Sequence, residues 1–247
     1  MTTKTRRNGT HPNAVGEDKS PYVYQKQVLK DPINLRELPW TDKQLGFIEL
    51  ANMKEVQVVF AKGPAGTSKT ALSIYCLLSL LNHKKISDLV LVRSIVESSD
   101  NKMGFLPGTS EDKMHPYLIP FMDKIDMFIS QNDTQKLHKE ERITAMPINF
   151  LRGMDWQRKG IVLDEAQNMT KKELLTFMTR IGKFCKTFII GDPDQSDIKN
   201  SAFNSVYDAF NTMEAREAGI YCVEFDESDI MRSDLCKFIS RKFKTIV

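Results

Sequence analysis

From residue 41 onward two hydrophobic patterns alternate along the chain. Short runs dense in β-branched and aliphatic residues predict strands: VQVVFA (56–61), DLVLVRS (88–94), GIVLDEA (160–166), KTFIIGD (186–192) and YCVEF (221–225). Amphipathic segments stand between or after them, namely TALSIYCLLSLL, TKKELLTFMTRIG, SAFNSVYDAFNTM and MRSDLCKFISRKF. Strand followed by helix, repeated, predicts parallel strands with helices packed on both faces. The expected class is α/β, with an open, mainly parallel sheet.

Two stretches break the pattern. Residues 1–34 are basic, rich in Lys, Asn, Thr and Pro, and show neither period, which predicts a flexible N-terminal arm that docks in part or not at all. The remainder, 35–247, is expected to be a single domain. Within it the alternation lapses between Ser94 and Pro147: a loop, VESSDNKMGFLPGTSED, leads into helical KMHPYLIPFMDKIDMFISQN and a charged stretch, DTQKLHKEERI. An insertion at about 95–145, at the end of a strand, is where such folds carry their specific contacts.

Composition narrows the picture only a little. At 247 residues and 41% hydrophobic the chain can bury one substantial core, and a net charge of +3 diagnoses no partner. The cysteines, Cys76, Cys185, Cys222 and Cys236, stand singly and no histidine lies at ligand spacing, so neither a disulfide framework nor a zinc site is expected. No apolar run reaches membrane-spanning length, and a cytoplasmic protein is the expectation.

Chemistry enters with GPAGTSKT, Gly63 to Thr70, between the first strand and the first strongly apolar helix. A turn of small residues lets backbone N–H groups point inward at a phosphate, and the helix N-terminus adds its positive end. Gly63, Pro64, Ala65, Gly66 and Thr67 suit that nest, Lys69 would reach the outer phosphates, and the Thr70 hydroxyl would ligand Mg2+. Ser68 stands where the phosphate-loop pattern has glycine, so its Cβ crowds the loop if that position needs a glycine dihedral. A second strand end, GIVLDEAQN, offers Asp164 to Mg2+ and Glu165 to the attacking water. A third, GDPDQ, offers Asp192 and Gln195 as sensors of the γ-phosphate. Three strand ends around one crevice are the expected ligand site of an open sheet.

With these motifs in order, the sequence resembles the PhoH family of P-loop ATPases, whose core is similar to the first motor domain of superfamily 1 helicases. The resemblance runs from about Leu38 to the C-terminus. It includes Gln44, matching a glutamine placed against adenine; Arg93 with Glu97; GFLPG (104–108); Pro116-Tyr117; PINFLRG (147–153); Thr179-Arg180; and DIMRSDL (229–235). It departs at Ser68, and at Arg152-Gly153-Met154-Asp155, where members read R-G-R-T. The resemblance implies a RecA-like P-loop NTPase fold in the compact form such as phages encode, with ATP and Mg2+ as cofactors and a ring of subunits, six in number. It also implies that an arginine stabilises the γ-phosphate, in cis or from a neighbouring subunit, with Arg180, Arg232 and Arg93 as candidates.

The leading functional expectation is Mg-dependent ATP hydrolysis coupled to a single strand of RNA or DNA, RNA first, as a helicase-like or RNA-remodelling ATPase. The strand would meet residues 95–145, where Phe105, Tyr117 and Phe121 are the available aromatics. Two alternatives stay open: a nucleotide-gated binding or assembly protein with little turnover because of Ser68, and a small-molecule kinase, which shares the loop but generally lacks D-E-A-Q.

Overall fold

The computed structural model describes residues 29, 31–94, 110–151, 153–231 and 234–243; the side chains of 110–117, 236, 240 and 243 lie outside it. In chain order the elements are α1 (Asp42–Asn52), β1 (Val58–Lys62), α2 (Lys69–Asn82), β2 (Asp88–Arg93), α3 (Ser110–Asp126), α4 (Gln131–Lys139), β3 (Ile143–Pro147), β4 (Lys159–Asp164), α5 (Lys171–Met178), β5 (Lys186–Gly191), α6 (Phe203–Phe210), α7 (Met213–Glu217), β6 (Ile220–Glu224) and α8 (Asp234–Phe243). The six strands form one sheet in the order β3-β2-β4-β5-β1-β6, and every pairing is parallel.

Burial on both faces explains why the interior strands read as continuous apolar runs. Along β1, Val59 and Ala61 join one core cluster with Phe47 of α1, Leu77 of α2 and Phe121 of α3. Val58 and Phe60 join the other, with Leu174 and Phe177 of α5 and Phe203 of α6. The same period-two division recurs in β2, where Leu89 and Leu91 face the first cluster and Val90 and Val92 the second. Two α-helix starts among the described residues carry a reciprocal capping box: Thr41 with Gln44 on α1, and Thr170 with Glu173 on α5.

The lapse expected between Ser94 and Pro147 ends earlier than the sequence suggests, because Ile143–Pro147 is a sixth strand. It sits at the edge and pairs only with β2, and Thr144 is exposed. An edge strand of five residues needs no continuous apolar run, and the charged α4 before it hides the transition. Of the stretch 1–34, Leu29 and Ile33 are buried in the first cluster. The Asn82 side chain grips the Ile33 backbone twice: its Oδ1 accepts the N–H at 2.8 Å and its Nδ2 donates to the carbonyl at 2.7 Å. Residues 1–28 and 30 lie outside the description.

In this strand order the carboxyl ends of β1, β5 and β4 are consecutive. The chain leaves β1 for β2 on one side, whereas β5 is followed by β6 on the other. Such a reversal of direction opens a crevice at the strand ends.

Candidate nucleotide site

The phosphate loop is shaped by close approach and by left-handed backbone. A Cβ on Gly63 would lie 2.7 Å from the Phe225 carbonyl oxygen, so only glycine lets the loop pass the end of β6. Gly66 has φ +90°. Ser68 also sits in the left-handed region, at φ 61° and ψ 22°, immediately before α2 begins. This is the glycine-type dihedral that its position raised as a concern, occupied here by a residue with a Cβ. The loop is tied down by Gly63 N–H to Gly191 O at 3.3 Å and by Met231 N–H to Gly66 O at 3.1 Å. The Lys69 ammonium folds back over it, donating to the carbonyls of Gly63 at 2.6 Å and Pro64 at 2.9 Å.

Across the crevice, Asp164 ends β4 and accepts a hydrogen bond from the Thr70 hydroxyl at 3.2 Å. Burial, reinforced by the neighbouring Glu165 charge and opposed by Arg93, pushes the Asp164 carboxyl up to about 6. Glu165 itself has φ 56° and ψ 39°, a left-handed conformation unusual for a residue with a long side chain. Its carboxylate is held from two sides, by the Arg93 guanidinium at 3.4 Å and by the Gln167 amide, which donates at 2.6 Å. The other end of the Gln167 amide accepts the Asp192 N–H at 3.0 Å, so one side chain joins the ends of β4 and β5. Gln195 donates to the Asp192 carboxylate at 2.8 Å, and burial raises the Asp192 carboxyl while Lys69 opposes the shift.

These groups face a cavity of about 480 Å³. Of the residues expected at the site, Ala65, Gly66, Ser68, Lys69, Thr70, Asp164, Glu165, Asp192 and Gln195 line it. Gly63, Pro64 and Thr67 build the loop without lining that cavity; Thr67 is fully buried and its hydroxyl donates to Pro64 O at 2.9 Å. Gln44 is buried beneath the loop and does not reach the cavity. Arg180 follows α5 and its carbonyl accepts from Trp156 N–H, three residues before β4 starts, which puts it at the amino end of the strands, opposite the acids. At roughly 3.3 Å per residue the strand separates it from the acids by about 17–20 Å. Arg232, Phe105 and the Tyr117 side chain lie outside the described residues, and Phe121 is a fully buried core residue.

The structure adds groups that sequence reasoning did not single out. Gln167 was visible as the fourth letter of D-E-A-Q, but nothing local marks it as a bridge between strands. Leu38, Met127 and Met231, from three distant parts of the chain, add apolar surface to the cavity lining.

Residues 38–244 match the family described as PhoH-like protein. The chain belongs to the PhoH family. It is 33% identical over 214 residues to the PhoH-like protein of Bacillus subtilis (strain 168), covering 86% of this chain and 66% of that one. To the protein PhoH of Escherichia coli (strain K12) it is 29% identical over 198 residues, covering 79% and 55%. This PhoH chain therefore spans about half to two thirds of the length of the curated relatives it matches. Among solved structures, the large terminase of a thermophilic bacteriophage superposes with a TM-score of 0.52 at 10% identity, covering 83% of this chain and 50% of that one. That likeness is of fold alone, a RecA-like P-loop α/β core. No described helix of the PhoH chain is long and apolar enough to cross a membrane.

Proposed function

We propose that this chain binds ATP with Mg2+, hydrolyses its γ-phosphate and couples the cycle to a single strand of nucleic acid, RNA first. The observation that carries the reading is the convergence of Lys69, the Thr70–Asp164 pair, Glu165 and Gln195 on one cavity. The donor set fits Mg2+: a hydroxyl and a carboxylate oxygen side by side are hard ligands, and burial beside Glu165 leaves the Asp164 charge in want of a cation. When bound, Mg2+ supplies neutralisation of charge on the phosphate oxygens.

The chain's own residues do the rest. Backbone N–H groups of the loop cradle the phosphates, and Lys69 exchanges its bonds to the Gly63 and Pro64 carbonyls for phosphate oxygens. Glu165 orients the attacking water and accepts its proton, held in place by Arg93 and Gln167. Gln195, positioned by Asp192, faces the outer phosphate.

Coupling to a strand is supported by the link from the acids to residues 95–109. Ser94, at the head of that segment, donates from its N–H to Asp164 O at 3.3 Å and from its hydroxyl to Asn168 O at 2.8 Å. An assembly of several copies, six in a ring on the family resemblance, is supported by the exposed apolar Leu235, Phe238 and Ile239 of α8 and by the remoteness of Arg180 from the site of its own chain. Mass in solution tests that assembly, and a monomer at all concentrations would remove it.

Steady-state ATP hydrolysis with and without single-stranded RNA and DNA, beside Lys69→Ala, tests the main reading. Turnover that Lys69→Ala abolishes and one nucleic acid raises is the expected result; equal turnover in Lys69→Ala would sink it. The left-handed Ser68 favours one other reading, a nucleotide-gated binder with little turnover. That reading requires negligible hydrolysis by the parent and its appearance in Ser68→Gly.

A further inference from the structure

The family resemblance places Gln44 against adenine, yet in this chain its amide is already committed to the protein. Gln44 lies in the first turn of α1 with no exposed surface. Its Oε1 accepts the Thr41 N–H at 3.0 Å, closing the helix cap. Its Nε2 donates to the Thr67 carbonyl at 3.2 Å and to the Asp229 carbonyl at 3.4 Å. A primary amide has two N–H donors, and both are spent on backbone carbonyls, one in the phosphate loop and one in the turn after β6. Reading adenine would cost the bonds that join α1, the loop and the C-terminal segment, and would leave buried carbonyls unpaired.

Among the described residues the rest of the cavity supplies no replacement. Apart from the phosphate loop and the strand ends, its described lining includes Leu38, Ala71, Met127 and Met231, apolar surfaces that suit the face of any planar base. Among the described lining residues outside the loop and the strand ends, Lys124 is the one polar side chain, a rotatable cation with donors and no acceptor. All four common bases present ring-nitrogen or carbonyl acceptors to such a donor, and none of these side chains accepts the 6-amino group that separates adenine from guanine.

We infer that this site takes purine and pyrimidine nucleoside triphosphates alike, with Gln44 acting as a structural bracket under the phosphate loop. The inference rests on the nucleotide site proposed above. A pocket that recognises a base through a fitted hydrogen bond rejects its analogues by about 10⁴-fold or more, whereas apolar walls discriminate by roughly 10–200-fold.

The test is calorimetric titration of the full chain with ATP, GTP, CTP and UTP in the presence of Mg2+, together with hydrolysis rates for the same four. Dissociation constants within about a hundredfold of one another are expected. Gln44→Ala should weaken all four by a common factor and lower the melting temperature. ATP preferred by more than about a hundredfold, or a Gln44→Ala effect confined to ATP, would overturn the inference. The panel on the unaltered chain decides the matter even if Gln44→Ala does not fold. Equal binding without hydrolysis would leave this inference standing while removing the ATPase reading, and no binding by any of the four would remove both.

Discussion

The Gln167 amide donates to the Glu165 carboxylate at 2.6 Å and, through its other end, accepts the backbone N–H of Asp192 at 3.0 Å. One buried side chain therefore sets the distance between the carboxyl ends of β4 and β5. It also restrains a glutamate whose backbone is left-handed. Freed of that bond, Glu165 has, among the described residues, the Arg93 guanidinium at 3.4 Å to orient it.

Gln167→Ala should accordingly lower kcat for ATP by about ten- to a hundredfold, the scale of a misplaced general base, while KM moves by less than about threefold. Steady-state kinetics and a thermal melt on the same preparation separate this from loss of fold. A rise in KM at constant kcat would show that Gln167 serves binding and not the position of Glu165.

Ser68 holds a left-handed conformation that costs a residue with a Cβ about 1–2 kcal/mol, part of which glycine returns through its freer unfolded chain. Ser68→Gly should raise stability by about 0.5–1 kcal/mol, or about 1–4 °C in Tm for a domain of this size. Ser68→Val, β-branched, should lower it. A melt in which Ser68→Gly unfolds below the parent would contradict the strain argument.

Lys186 opens β5 with its ammonium donating to the carbonyls of Met53 and Val56 at the end of α1. Burial, and then the nearby Lys85 charge, lowers its pKa from 10.5 to about 8. Between those values the unfolded chain binds the proton that the folded chain has released, so stability rises with pH across that window and the gain is lost as pH falls through 8. Relative to Lys186→Met, the parent should gain about 1–2 kcal/mol between pH 8 and 10.5, a range already reduced for the solvent that still reaches the ammonium. Parallel unfolding curves across this window for the two proteins would refute the shift.

Asn82 closes two hydrogen bonds on the Ile33 backbone, 2.8 Å and 2.7 Å long, and so clamps the segment before α1 to the end of α2. Asn82→Ala should cost about 1–3 kcal/mol for the two unpaired backbone groups. The loss should appear first as faster amide exchange around Ile33, ahead of the sheet. Exchange that accelerates equally in β1 and β4 would mean that the clamp belongs to global stability.

Much of the fold could be read locally. Every interior strand announced itself as an apolar run, and α2 as an amphipathic segment after a small-residue loop, because burial on both faces leaves a continuous signature within a few residues. Of the two edge strands β6 was legible as YCVEF, whereas β3, Ile143–Pro147, escaped because it follows the charged α4 directly and ends in proline, with only Ile143 and Thr144 β-branched. The phosphate loop, Asp164, Glu165 and Gln195 were legible for a related reason: each ends a strand, and parallel strands deliver their carboxyl ends to one side.

What tertiary structure decided is how these ends meet. Placing β5 between β1 and β4 is a matter of strand order, and no local spacing encodes it. That order makes Gln167 a bridge across 25 residues of chain to Asp192 and brings Asp229 within reach of Gln44 across 185. Arg180 lies at the amino end of the strands, because α5 runs back along the sheet before β5 begins. Periodicity and motifs report what each residue is beside in sequence, whereas hydrogen-bond partners of a buried amide depend on which distant backbone the packed core presents to it.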